Sequence, residues 1–271
     1  MHITGKHVAL TGGGNGIGAA LARRLAADGA RVSLADRDHA AAQRVAAELD
    51  GQGFVCDVGD ETQLRQFIAD AEAVNGPIDC FCSNAGLAVG EGEHAASASN
   101  ATWDTLWRVH VMAHVWAARA LLPAMLARGD GYFVNIASAA GVLSQIGDAA
   151  YSTTKHAAVG FAESLAISHG DQGIGVSVVC PQYVATPLLG YDDGPPADAG
   201  ANLLSPEAVA DHISTAIAER RFMVLTHPDV AGFMQAKAHD PDRWIGGMRK
   251  LRRNVIGTLG ELDLATMHKL I

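Results

Sequence analysis

Tyr151 and Lys155 stand four residues apart in a stretch, residues 150 to 169, that reads as a helix. Residues at that spacing share a helix face, about 6 Å apart along the axis at about 1.5 Å of rise per residue, so the ammonium can act on the phenol. A free tyrosine titrates at about 10, too high for a base at neutral pH. Nearby positive charge favours the phenolate, and each unit of lowering corresponds to about 1.4 kcal/mol. Ser138 lies thirteen residues before the tyrosine, just after the apolar run Gly131–Ile136, where its hydroxyl can hold a substrate oxygen. Solvated helix faces also supply Tyr/Lys pairs. The serine, and a glycine-rich turn earlier in the chain, give this pair its functional reading.

That turn follows the first apolar run. His7-Val8-Ala9-Leu10 reads as a buried strand and Thr11-Gly12-Gly13-Gly14-Asn15-Gly16-Ile17-Gly18 as a tight turn; residues 19 to 27 then read as a helix, and Arg31-Val32-Ser33-Leu34-Ala35 as a second strand ending at Asp36. Glycines admit backbone angles and close approaches that a Cβ blocks, and the free N–H groups of a helix start attract phosphate. A dinucleotide pyrophosphate suits that arrangement. A carboxylate roughly 20 residues after the glycines can accept both ribose hydroxyls of NAD and would repel the 2′-phosphate of NADP. Glycine turns also close helix starts for packing alone; strand, turn, helix, strand and acid in this order favour the cofactor. Arg37 either faces a 2′-phosphate or lies in solvent, and the solvent reading is preferred, which ranks NAD ahead of NADP.

No Pro/Gly/Ser linker divides the 271 residues near the middle, so they read as a single domain, 1–271. With 49% hydrophobic and 18% charged residues, the chain can cover a sheet with helices on both faces. The formal charge is 20 − 29 = −9. Read as lacking a basic run, the chain is expected to bind neither nucleic acid nor an anionic membrane. No stretch of about 18 uninterrupted apolar residues and no leader are read in it, and a soluble cytoplasmic protein is expected. Cys56, Cys80, Cys82 and Cys180 lie in or beside apolar runs and read as small buried hydrophobes without metal-site spacing. No metal is expected.

Further along, Phe54-Val55-Cys56 reads as a third strand closed by Asp57, an acid that either bonds an adenine amino group or caps the next helix. Ile78-Asp79-Cys80-Phe81-Cys82 is a fourth strand, followed by Asn84-Ala85-Gly86, small residues that let a cofactor lie against backbone or merely turn the chain. His94, in an uncertain loop, is read as facing water. Residues 103 to 128 read as a long helix bent by Pro123. Gly175–Cys180 is a sixth strand and Phe222–Thr226 a seventh. The alternation predicts an α/β fold: a Rossmann-type, doubly wound, mostly parallel seven-stranded sheet with helices on both faces. Its ligand crevice should lie beyond the strands' carboxyl ends. Residues 188–205 are expected to form a substrate lid, and 228–271 an atypical C-terminal extension.

Together these motifs resemble the single-domain short-chain dehydrogenase/reductase family over about residues 4 to 226. The residues that carry the resemblance are Thr11-Gly12-x-x-x-Gly16-x-Gly18, Asp57-Val58, Asn84-Ala85-Gly86, Ser138, Tyr151-x-x-x-Lys155, and Pro181 leading to Thr186. The resemblance implies that Tyr151 is the general acid/base and that Ser138 orients the carbonyl or alcohol. It implies that Lys155 lowers the tyrosine pKa and binds the nicotinamide ribose, with hydride passing between substrate and nicotinamide. Cofactor contacts are implied from Gly12, Asn15, Gly16, Ile17 and Gly18 at the turn, and from Asp36 and Arg37 at the adenosine ribose. Asp57 and Val58 would meet adenine, Asn84, Ala85 and Gly86 would lie beside the cofactor, and Val184 and Thr186 would meet the carboxamide, with Pro181 in the same turn.

Two departures from the family pattern stand out. Where the family usually has an asparagine that holds a local kink and continues a proton relay, this chain has His110, in Arg108-Val109-His110-Val111. It either joins the relay, with a titration near neutrality that makes turnover pH-sensitive, or packs in the core. The turn after the sixth strand is Pro181-Gln182-Tyr183 in place of Pro-Gly, and Gln182 either contacts substrate or points outward. The tail, with Phe233, Met234, Trp244, Met248 and Leu251, reads as packing or a subunit contact that can also cover the site. Substrate contacts are expected from Ser138, Gln145, Tyr151, Gln182 and Tyr183, and from a lid whose leucines favour a hydrophobic molecule. The expected activity is NAD-dependent interconversion of a secondary alcohol and a ketone by a homodimer or homotetramer. The alternatives are an NADP-dependent carbonyl reductase and a non-catalytic NAD-binding protein.

Overall fold

The computed structural model describes all residues except 91–92, 193, 197–199, 201, 263 and 271. Seven strands form one parallel sheet: β1 (His7–Thr11), β2 (Arg31–Asp36), β3 (Gln52–Val55), β4 (Cys80–Ser83), β5 (Gly131–Ile136), β6 (Ile174–Val179) and, after two short strands, β9 (Met223–Val224). Their order is β3-β2-β1-β4-β5-β6-β9, with every neighbouring pair parallel. The reversal between β1 and β4 is the switch point at which an open α/β sheet leaves a crevice. Continuous burial along β1, β5 and β6 is what a sheet covered on both faces requires.

Helices α1 (Gly16–Ala27), α2 (His39–Ala47) and, late in the chain, α7 (Pro206–Glu219) pack one face, where Leu21, Val45 and Ile213 join Val8, Leu10 and Val134. Helices α3 (Glu61–Asn75), α5 (Ala113–Arg128) and α6 (Ala149–His169) cover the other, where Phe67, Leu121 and Leu165 meet Phe81 and Phe133. The expected long helix begins earlier, as α4 (Asn100–Trp107), and is interrupted by a π-helical turn at Arg108–Met112 before α5 resumes with Pro123 inside it. By length and composition, residues 100–128 would suffice to cross a membrane, but a 56% buried window packs into this core.

Several boundaries differ from the sequence reading. Helix α1 starts at Gly16, because Asn15 takes the N-cap place. The seventh sheet strand shrinks to Met223–Val224, since only Val178 and Val179 remain opposite it. A two-stranded sheet, β7 (Tyr183–Val184) with β8 (Leu203–Leu204), ties the turn after β6 to the far end of the expected lid. The extension folds as α8 (Asp229–His239), α9 (Pro241–Leu259) and a short α10 (Leu264–Met267). Lys237 of α8 donates to the carbonyls of Val142 and Leu143, each at 2.8 Å, joining the tail to the segment that leaves Ser138. The expectation of no basic run fails on α9, where Arg249, Lys250, Arg252 and Arg253 are all exposed. All four cysteines are free and buried.

Candidate active site

The glycine turn is built as a cradle. Gly12 (φ 65°) and Gly16 (φ 51°) lie in the left-handed region, and a Cβ on Gly12 would sit 2.8 Å from the Ala85 Cα. Asn15 makes no side-chain cap bond at the start of α1, so the helix's positive end is left for a ligand. Gly12, Asn15, Gly16 and Ile17 line a cleft of about 540 Å³. Gly18 does not line it; its role is to let α1 pass the turn. Asp36 Oδ2 accepts the Gly14 N–H and Oδ1 the Asp38 N–H, both at 3.0 Å, which places its carboxylate against the glycines at the cleft wall. Arg37 also lines the cleft, exposed.

The two readings of Asp57 separate here. Asp60 caps α3 by accepting from Thr62 and Gln63, whereas Asp57 accepts the Gly59 N–H at 2.8 Å and lines the cleft with Val58. Asn84, Ala85 and Gly86 line it too. Asn84 Nδ2 also donates to the carbonyls of Thr11 and Gly12, both at 3.0 Å, bolting the end of β4 to the turn. The cradle, the uncapped helix start and the acid together fit a dinucleotide. Converting Asp36 to Ala is expected to weaken NAD by tenfold or more, one charge-assisted contact being worth about 1.5–3 kcal/mol, and to narrow the gap to NADP. Paired titrations of both cofactors read this out, and equal losses for the two would show that the acid does not select between them.

At the other end of the cleft, Ser138, Tyr151 and Lys155 come together. Lys155 is buried, with Nζ 5.5 Å from the Tyr151 ring centroid and donating to the Ile136 carbonyl at 3.0 Å. Burial pulls its pKa down to about 8, so it remains mostly charged at neutral pH. Burial also pushes the Tyr151 phenol up to about 12, with Ser138 pulling it down. This runs opposite to the expected lowering: desolvation is the largest cause, and the group that pulls the phenol down is Ser138 rather than the lysine. Asp148, absent from the sequence reading, is buried; its Oδ1 caps α6 through the Tyr151 N–H and its Oδ2 holds the Gly90 N–H, both at 3.0 Å. An aspartate three residues before Tyr151 is the N-cap spacing that would have revealed it.

His110 lies in the π turn, fully buried, and its ring meets Tyr151 edge-on at 5.3 Å. Its Nε2 accepts the Leu87 N–H at 3.2 Å, so Nδ1 carries the proton and donates to Thr154 Oγ1 at 2.9 Å; that hydroxyl in turn donates to the Ala150 carbonyl. Burial, then the Lys155 charge, hold its pKa well below the usual value, which favours the packed reading over a relay group titrating near neutrality. Exchanging His110 for Asn is expected to leave the midpoints of kcat/KM against pH unmoved between pH 5 and 8; a shifted midpoint would restore a titrating relay.

On the substrate side, Gln145, Gln182 and Tyr183 line the cleft with Pro181, Val184, Thr186, Leu188 and Leu189. His227 positions that turn: its Nδ1 accepts the Gln182 N–H and its Nε2 bonds the Tyr183 carbonyl. The expected lid lies partly outside the described residues. His94 is exposed, as expected.

A family model described as "short chain dehydrogenase" matches residues 6–193. The chain belongs to the short-chain dehydrogenase family. It is 33% identical to 1-deoxy-11-beta-hydroxypentalenate dehydrogenase of Streptomyces exfoliatus over 84% of this chain and 86% of that one. Against 2-(S)-hydroxypropyl-CoM dehydrogenase 3 of Xanthobacter autotrophicus it is 36% identical, over 71% and 78%. Among solved structures, a short-chain dehydrogenase/reductase from Burkholderia phymatum in complex with NAD superposes with a TM-score of 0.81 at 28% identity, covering 89% of this chain and 96% of that one. As a family member, this chain is an oxidoreductase with a Rossmann-type sheet.

Proposed function

We propose that this short-chain dehydrogenase interconverts a secondary alcohol and a ketone on an apolar small molecule, with NAD as cofactor. The observation that carries the reading is the convergence of Ser138, Tyr151 and Lys155 on a cleft whose far end is an uncapped helix start with Asp36 beside it. Bound there, the cofactor supplies or accepts hydride. Ser138 orients the substrate oxygen, and the protonated Tyr151 phenol donates to it when a carbonyl is reduced, receiving the proton back in oxidation. Lys155, anchored on Ile136, keeps positive charge next to the phenol, and Asp148 fixes the helical turn from which Tyr151 projects. The Burkholderia structure with NAD and the two relatives named as dehydrogenases of hydroxy compounds support the assignment.

Exposed Trp107 (43%) and Ile167 (85%) on α4 and α6 support a homodimer or homotetramer built on those helices, and four free buried thiols suit the reducing cytoplasm. Screening secondary alcohols with NAD, and ketones with NADH, by nicotinamide absorbance tests the function. Tight NAD binding without turnover across a broad panel would leave a cofactor-binding protein instead.

A further inference from the structure

A second cavity, of about 370 Å³, lies beside the catalytic cleft, and Gln145, Gln182 and Tyr183 line both. The side chains of Gln145 and Tyr183 are hydrogen bonded, so the two spaces meet at that pair. The inner wall includes Ala139 and Leu143, from the segment that leaves Ser138. The outer wall is Phe233, Trp244, Met248 and Leu251, from α8 and α9. Among the described residues none between 184 and 205 contributes, so the outer wall of this space comes from the C-terminal extension.

The Phe233 and Trp244 rings lie 6.1 Å apart, and Phe233 is 39% exposed. Aromatic surface left open beside a cavity forfeits hydrophobic free energy until something apolar covers it. The charged residues on the wall, Asp240 and Arg243, are exposed, and Asp240 is engaged as the cap of α9. An interior lined this way suits an uncharged carbon skeleton, and its volume lies within the range of small-molecule sites.

We propose that this chamber receives the uncharged apolar skeleton of the substrate, a long-chain or multi-ring secondary alcohol or ketone, and that Phe233 and Trp244 set the size accepted. The proposal rests on reading the neighbouring cleft as an alcohol–ketone site. The substrate oxygen sits at Ser138 and Tyr151, and the rest of the molecule passes the Gln145–Tyr183 pair.

The test uses the full chain and a Gly247→Trp variant. Gly247 is on the chamber wall, and nothing lies within 4 Å of a Cβ built there, so a bulky side chain can be placed on the wall without a clash at its Cβ. With NADH and 2-alkanones from 2-butanone to 2-undecanone, kcat/KM of the unaltered protein is expected to rise about fourfold per methylene until the chamber is full. In Gly247→Trp the series should flatten: 2-undecanone loses about tenfold or more through KM while 2-butanone is unchanged. A flat series in the unaltered protein, or equal losses for short and long ketones, overturns the chamber.

Calorimetric titration of 2-undecanone into protein saturated with NAD separates this from the reaction assignment, because a ketone and the oxidised cofactor do not react. Binding that Gly247→Trp abolishes supports the chamber even where no ketone is reduced, and the alcohol–ketone reading then fails alone. Absence of binding, or a dimer that Gly247→Trp dissociates, overturns the chamber, the second by placing another copy of the chain there.

Discussion

Replacing Tyr151 by phenylalanine is expected to lower kcat by about 10³-fold, within the range that a positioned proton donor contributes, while NAD affinity stays near that of the unaltered protein. The substitution removes one oxygen and keeps the ring, so the edge-on contact with His110 survives. Lys155 holds its bond to the Ile136 carbonyl independently of the phenol, and the glycine cradle lies at the other end of the cleft. Single-turnover rates with a ketone, alongside a fluorescence titration of NADH, separate chemistry from binding. Unchanged turnover would remove the phenol as the donor. Matched losses of rate and affinity would make the tyrosine part of the cofactor pocket's support.

Substituting Gly18 with alanine is expected to be the most damaging single-methyl change in the glycine turn. Its Cβ would stand 2.0 Å from the Gly12 carbonyl oxygen and 2.6 Å from Asn84 Nδ2, and neither neighbour is free to retreat. Asn84 is held by two hydrogen bonds to the same turn, and Gly12 already abuts Ala85. Overpacking of this kind costs about 3 kcal/mol or more, equivalent to a fall in Tm of roughly 5 °C or more for a chain of this size, and NAD binding should weaken with it. Gly246→Ala, on α9 with open space around its Cβ, is the control and should not lower Tm. An undisturbed Tm in Gly18→Ala would mean that the turn repacks freely, and the cradle argument would fall with it.

The sheet and most of the cleft were legible because local chemistry and global topology agree there. Buried β-runs alternate with helices, glycines stand where the backbone needs them, and residues at strand ends reach the crevice by topology alone. What escaped depends on contacts between distant stretches. The neutral tautomer of His110 is set by Leu87 and Thr154, neither of which neighbours it in sequence. The raised phenol of Tyr151 reflects desolvation, which spacing from a lysine does not report. The π turn at Arg108–Met112 leaves no mark in a hydrophobic pattern that reads as one helix. The chamber's two walls are separated by roughly a hundred residues of chain. Asp148 and the cations of α9, by contrast, carry local signals, an N-cap spacing and a run of like charge.

The tail is fastened beside Ser138 through the Lys237 ammonium, with the carbonyls of Val142 and Leu143 as its sockets, and through the packing of Val230 on Ala139 and Leu143. On the proposed function, the residues given proton and cofactor roles all precede residue 187, and the outer wall that would judge molecular size begins after residue 228. On that proposal the inner wall is shared with the reacting end, and only the outer wall is written in a later passage of the polypeptide. Exchanging the last forty residues between related proteins, with the lysine and its two sockets retained, would then transplant a taste for a particular molecule and leave the hydride chemistry untouched.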